Sequence, residues 1–304
     1  MQLAAAASIA AFAPRARSAA SLGTGAAAAK PAILHATTLA PGITLLDGAG
    51  CNVIAIKGNE GSLLIDGGYA RHSKQLLQAV ANATGNGKVS TLINTHWHPA
   101  QTGSNEAVGN AGGEIIAHEV TRLYLGRAVA SADYEGLYGP LATSGRPTRT
   151  TRTNGSLTFA GRQVDYGYLP AAHTNGDLYV HVPEANLLIA GGPVASESWP
   201  LLDWRNGAWL GGLVKAHEKL AALTKPDTRI IPANGRPLTG AEQKQQHQMF
   251  AAFHEQMVVF LNKGMDSGDC IAARPLKAHE SVYGDPAPFI YGVFQSLNLA
   301  YSPD

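Results

Sequence analysis

Apolar and polar positions alternate in short runs along most of this chain, and the period shifts from two toward three and four where the runs lengthen. Cys51 to Lys57 and Ser62 to Asp66, apolar on both sides of the polar turn Gly58-Asn59-Glu60-Gly61, predict a strand pair. Ser73 to Ala83 carries Leu76, Leu77 and Val80 at helical spacing, and Val89 to Thr95 reads as an apolar strand. Glu114 to Ala117 predicts another strand and Val120 to Val129 a helix, whereas about Ala130 to Thr153 is rich in Gly, Thr, Arg and Pro and shows no period. Strands then recur at Ser156 to Phe159, Gln163 to Tyr168, Leu178 to Val182, Leu187 to Ala190 and Thr228 to Ile231, with a helix over Gly207 to Leu223. After Gly240 a long amphipathic helix sets Phe250, Phe253, Met257 and Phe260 on one face, a stripe that reads as core. This strand-then-helix rhythm predicts a layered α/β plan.

The strand beginning at Val89 runs into Asn94-Thr95-His96-Trp97-His98-Pro99-Ala100-Gln101-Thr102-Gly103-Ser104-Asn105-Glu106. Residues two apart in an extended segment project to one face, so His96 and His98 present two imidazoles to a common ion while Trp97 points away. Two ligands do not complete a site: catalytic zinc takes three from the protein and keeps a position for water. The third candidate is His173 in Leu169-Pro170-Ala171-Ala172-His173-Thr174-Asn175-Gly176-Asp177-Leu178, a turn between two apolar runs, where sites concentrate. Other histidines, such as His118, His217 and His254, fall in no such pattern.

Composition narrows the function classes. With 304 residues, 45% of them hydrophobic, the chain is long enough for one large domain. Net charge is +1 and charged residues are 15%, below the ~25% usual in soluble domains, with no long Lys/Arg run. Nucleic acid, a polyanion held by Lys and Arg, is therefore not expected as a partner, and a small-molecule substrate is. Cys51 and Cys270 are far apart and read as two buried free thiols rather than a metal site or a disulfide framework.

In order along the chain, Ser62-Leu63-Leu64-Ile65-Asp66-Gly67-Gly68, Thr95 to Asn105, His173 to Asp177, Leu187-Leu188-Ile189-Ala190-Gly191-Gly192 and Ile230-Ile231-Pro232-Ala233-Asn234-Gly235 resemble the successive motifs of the metallo-β-lactamase superfamily. The resemblance runs from about Ile43 to about Leu238. It implies an αβ/βα four-layer sandwich, with residues 31–304 as one domain and a C-terminal helical extension from about residue 240. The two-metal ligand positions of that family fall here on His96, His98, Ala100, Gln101, His173, Gly192 and Asn234. The histidines of the first metal are all present, and the remaining positions have lost their usual ligand. Gln101 and Asn234 hydrogen-bond but are poor zinc ligands, and Ala100 and Gly192 offer no carboxylate. The expectation is one metal, zinc ahead of iron or manganese, on His96, His98 and His173. Asp66 is expected to orient a ligand histidine from behind, with a turn-capping role beside Gly67-Gly68 as the competing reading. Gln101 and Asn234 are expected to orient water or substrate, with loop-stabilising amides as the competing reading, while Asp177 and Asn105 brace their loops and Glu106 is a candidate carboxylate for proton transfer.

The function that follows is a metal-dependent hydrolase acting on an ester, lactone, thioester or amide bond. The alternative is a catalytically inactive relative that binds a small molecule or partner in the former cleft. An iron oxygenase with a two-histidine, one-carboxylate set ranks last, because Gly192 removes the carboxylate. Residues 1–30 begin with an apolar run of signal-peptide length that lacks a basic n-region. They read as an export segment, which would place the protein in the periplasm or outside the cell, or as a disordered Ala-rich tail of a cytoplasmic protein. No segment reads as a transmembrane helix.

Overall fold

The structure, a computed structural model, describes residues 32–132 and 134–301, so the N-terminal export or Ala-rich segment lies outside the described residues. Two sheets form its centre. The first has seven strands in chain order: β1 (His35–Ala40), β2 (Ile43–Asp47), β3 (Val53–Lys57), β4 (Ser62–Ile65), β5 (Val89–Ile93), β6 (Glu114–His118) and β7 (Arg149–Thr151). Pairing is antiparallel from β1 to β4 and parallel from β4 to β7. The second has six: β8 (Asn154–Phe159), β9 (Arg162–Tyr168), β10 (Leu178–Val182), β11 (Leu187–Gly191), β12 (Arg229–Pro232) and β13 (Leu238–Thr239), antiparallel except between β11 and β12.

The helices are α1 (Ser73–Thr84), α2 (Pro99–Thr102), α3 (Asn105–Asn110), α4 (Glu119–Leu125), α5 (Leu210–Ala222), α6 (Gly240–Asn262), α7 (Ser267–Ala272), α8 (Glu280–Tyr283) and α9 (Ala287–Tyr301). Alternation along the strands sorts side chains into layers. Ile54 and Ile56 of β3 meet Val180, Val182 and Ile189 between the sheets, whereas Val53 and Ala55 face outward to Leu76 and Val80 of α1. On the second sheet Leu187 and Ile189 join the inner layer, and Leu188 and Ala190 join Leu213, Leu220, Phe250 and Phe253 outside it. The result is the helix, sheet, sheet, helix order of the expected sandwich. Burying one such Ile or Leu stabilises by about 1.5–3 kcal/mol. A one-residue slip of β3 would put Val53 and Ala55 between the sheets and turn both isoleucines outward, so burial fixes the register.

Most expected elements are present within a residue or two. The helix expected over Val120 to Val129 is shorter, because Gly126 caps α4 and Val129 instead exchanges backbone hydrogen bonds with Tyr138 at 2.9 and 2.8 Å. β1, β2, β7 and β13 are not among the expected strands: β1 is largely exposed, β7 is three residues inside the segment without a period, β13 is two residues, and β2 is a buried strand the pattern reading omits. The C-terminal part is helical as expected, with α6 started by a capping box between Thr239 and Glu242. Cys51 and Cys270 are both free and buried. Among the described residues no helix is long and apolar enough to cross a membrane.

Phe253 and Val259 test which face of α6 carries the stability, being 2% and 48% exposed. Phe253→Ala is expected to lower the unfolding free energy by about 3–5 kcal/mol, and Val259→Ala to change it by no more than about 0.5 kcal/mol. Urea titration followed by circular dichroism checks both.

Candidate metal centre

The centre lies where the carboxyl ends of β4 and β5 meet the turn before β10. Asp66 follows β4 with φ at 65°, a left-handed conformation that Asp tolerates better than most residues. Its carboxylate accepts from the Thr95 backbone N and from Thr95 Oγ1, both at 2.8 Å. Because that hydroxyl already donates to Asp66, it can only accept from His96 Nδ1, 3.0 Å away. The His96 proton is thereby held on Nδ1, and Nε2 carries the lone pair. Asp66 thus reaches the His96 ring only through Thr95, where direct contact with a ring nitrogen was the expectation.

The other two rings are fixed in the same manner. His98 Nε2 lies 3.0 Å from Asp203 Oδ2, which leaves the lone pair on Nδ1. His173 Nδ1 lies 2.8 Å from the Leu201 carbonyl, an acceptor only, so its lone pair is on Nε2. The three inward nitrogens converge: His173 Nε2 is 3.1 Å from both His96 Nε2 and His98 Nδ1. Each ring is at least 94% buried, with exposures of 1%, 2% and 6% for His96, His98 and His173. Burial, then repulsion from the neighbouring rings, drives the His96 pKa well down. Burial, then His98, takes that of His173 to about 3. At neutral pH these two rings are uncharged, the form that ligates metal.

Three acceptor nitrogens facing one another cannot hydrogen-bond among themselves; a cation satisfies all of them. A tetrahedral zinc with Zn–N of about 2.0–2.1 Å would place its nitrogens roughly 3.3–3.4 Å apart, close to the 3.1 Å separations seen here. These three are also the one group of His, Cys, Asp and Glu among the described residues whose ligand atoms cluster tightly enough to hold an ion.

The remaining expected residues separate clearly. Gln101 is 2% exposed, lies against the His96 ring, and its Oε1 has no hydrogen-bond partner among the described residues. Asn234 is exposed and, with its amide oriented to suit its neighbours, donates to the Gly50 carbonyl at 3.0 Å, the loop-stabilising role. Glu106 accepts from Ala142 N at 2.8 Å and braces that turn. Asn105 pairs with Asn94 in both directions at 2.8 and 3.0 Å, and Asp177 accepts from His173 N at 2.7 Å and from Thr174. Burial raises the Asp66 and Asp177 carboxyls to about 7 against the hydrogen bonds they accept. Asp203 is the functional residue the sequence did not disclose: it sits 105 positions from His98 in no motif of its own. Burial pushes its carboxyl upward, but hydrogen bonds from His98, Ala132 and Asn206 prevail and hold it below the ordinary value.

Residues 46–236 match the family model described as the metallo-beta-lactamase superfamily. The chain belongs to this superfamily. Among curated proteins it is 23% identical over 273 residues to a linear primary-alkylsulfatase of Pseudomonas sp. (strain ATCC 19151), a match covering 75% of this chain. The chain spans about half the length of that relative, 50%. Among solved structures it is similar to a metallo-beta-lactamase from Pontibacter korlensis, with a TM-score of 0.58 at 19% identity over 72% of this chain and 99% of the other. It is also similar to the stereoselective inverting sec-alkylsulfatase of Pseudomonas sp., with a TM-score of 0.67 at 14% identity over 89% of this chain and 52% of the other. At these identities the structural likenesses establish the superfamily fold alone.

Protons compete for the same lone pairs that metal would use. Burial takes the His173 pKa from the ordinary 6.5 down to about 3 in the folded chain. The unfolded chain therefore takes up the proton first, and the stability this ring contributes is present above pH ~6.5 and lost as pH falls toward ~3. In metal-free protein the unfolding free energy is expected to fall more steeply from pH 6.5 to 4 than in His173→Gln. Urea titrations at four pH values check this, and equal slopes would contradict the neutral ring.

Proposed function

We propose that this chain is a metal-dependent hydrolase that uses a single zinc on His96, His98 and His173 against an ester-type or amide bond. The observation that carries the reading is the convergence of three lone pairs whose tautomers are fixed from behind by Thr95, Asp203 and the Leu201 carbonyl. His96, His98 and His173 would hold the ion, which would supply a water of lowered pKa, about 7, as a nucleophile at neutral pH. Gln101, buried beside His96 and interacting with that ring, would be within reach of a group bound at the centre. Asp66 holds the His96 ring through Thr95, and Asp177 holds the backbone of His173.

The packing of Gly192 against His173 supports the one-metal reading. A Cβ built on Gly192 would lie 2.2 Å from His173 Cδ2 and 2.6 Å from its Nε2, so a side chain there displaces a ligand instead of adding one. Ala100 has no donor atom, and Asn234 is turned to Gly50. The substrate classes to screen are esters, lactones, thioesters and β-lactams, with alkyl sulfates added because a relative bears that activity in its name. The burial of all three histidines favours one further reading, a protein that binds a ligand over this centre without turnover.

Plasma mass spectrometry of the purified chain is expected to give about one zinc per chain, and none in His173→Ala. No metal after purification in zinc-containing buffer would sink the hydrolase reading, and two per chain would refute the single site. Gly192→Asp restores a carboxylate in sequence but not in space: it is expected to lower zinc content below that of the parent, and a gain of a second zinc would contradict the steric argument.

A further inference from the structure

The turn carrying Leu201 to Asn206 holds two of the ligand histidines at once and is itself held by a separate part of the chain. Leu201 O accepts from His173 Nδ1 at 2.8 Å, Asp203 N donates to His173 O at 3.0 Å, and Asp203 Oδ2 accepts from His98 Nε2 at 3.0 Å. On its other side Asp203 Oδ2 accepts from Ser131 Oγ at 2.9 Å, and Oδ1 accepts from Ala132 N at 3.1 Å. Asn206 Nδ2 closes the set by donating to Asp203 Oδ2 at 2.9 Å and to Ala130 O at 2.8 Å. Asp203 is 0% exposed, so its charge has no water to stabilise it and depends on these donors.

We propose that Asp203 is a positioning residue that couples Ser131 and Ala132 to the metal-binding face of His98, so that zinc affinity depends on a serine whose hydroxyl donates to Asp203 and not to a ligand. The hydrogen bond from His98 fixes the proton on Nε2 and keeps the Nδ1 lone pair toward the ion. The donors from Ser131, Ala132 and Asn206 in turn fix where the carboxylate stands. Any donor removed loosens the carboxylate and, through it, the ring. Coupling of this kind is reciprocal: if the contact at residues 131–132 favours zinc, zinc must favour the contact. The sequence puts Ser131 and Ala132 in the segment without periodicity, which packing alone would leave loosely specified. A buried carboxylate gives that segment a fixed address beside the centre.

The inference rests on the three-histidine metal site proposed above, and zinc titration separates the two. Zinc dissociation constants are measured by chelator competition for the parent, Asp203→Asn, Ser131→Ala and Thr143→Ala, the last an exposed control in the same segment. Asp203→Asn is expected to weaken zinc by about 10–100-fold, as for partners that orient metal ligands. Ser131→Ala is expected to weaken it by roughly threefold to tenfold, because the remaining donors still hold Asp203, and Thr143→Ala leaves it unchanged. Hydrogen exchange read on the peptide carrying Ser131 and Ala132 is expected to slow when zinc is added to the parent, and to slow less in Asp203→Asn. A purely structural contact would not respond to zinc. Parent-like zinc affinity in Ser131→Ala together with exchange that ignores zinc would overturn the coupling, even if Asp203→Asn binds weakly or fails to fold. If the parent itself binds no zinc, the metal reading has failed instead.

Discussion

Three imidazoles can aim at one point only if each is gripped by its far nitrogen, and the rest of this molecule is arranged around that requirement. An unrestrained neutral histidine exchanges its proton between Nδ1 and Nε2, and a buried trio would relieve itself by one ring donating to another. Here the Thr95 hydroxyl, the Asp203 carboxylate and the Leu201 carbonyl each accept from the outer nitrogen, which in a neutral ring leaves the lone pair facing inward. Two of those three acceptors depend on further structure. Thr95 accepts because Asp66, at the end of the neighbouring parallel strand, takes its proton. The carboxylate of Asp203 stays ionised because several donors outweigh its burial. The strand register of β4 against β5 and the turn at residues 201–206 are therefore part of the centre as much as the rings are.

The positions at which the superfamily carries further ligands are occupied here by groups that pack against the centre or bond to one another. Where a carboxylate would stand, Gly192 lets the His173 ring lie against the backbone, within 2.2 Å of where a Cβ would be. The loop before β3 is fastened to the turn after β12: Asn52 N donates to Ala233 O at 2.7 Å, and Asn52 Nδ2 to both Pro232 O and Gly235 O at 2.9 Å. Asn234 returns a hydrogen bond to Gly50, and Cys51 Sγ donates to the Ala100 carbonyl at 2.9 Å. These polar groups are satisfied by one another. Removing one of them would leave a buried partner unpaired, at a cost of about 1–3 kcal/mol.

What the sequence made legible follows the range of each interaction. Alternation in β3, β4, β10 and β11 is local and read directly, because burial on both faces of a sheet leaves a strong pattern. The pair His96 and His98 shares a strand end, and His173 stands in a motif with its own bracing Asp177, so these three could be assembled before any coordinates. β1 escaped because it is largely exposed and carries little burial signal, and β7 because three residues are too few to show a period. Asp66 was read as acting on a histidine, but the intervening Thr95 was not, since a hydroxyl's direction depends on which neighbour takes its proton. Asp203 had no signature at all. A lone carboxylate among Leu201, Leu202 and Trp204 becomes informative only when the chain brings it to His98, 105 residues away in sequence.

The separation between Gln101 and Asn234 shows why ligand positions that have lost their metal-binding side chain cannot be treated alike. Both are amides in places the superfamily uses for ligands, and by sequence they were equivalent. Asn234 lies on an exposed turn with a carbonyl in reach, so its donors are satisfied locally and any service to the centre would first have to break those bonds. Gln101 is enclosed beside His96 with its oxygen unpartnered. A buried polar atom left unmatched is costly in a folded protein, and it is retained more readily where something binds to it.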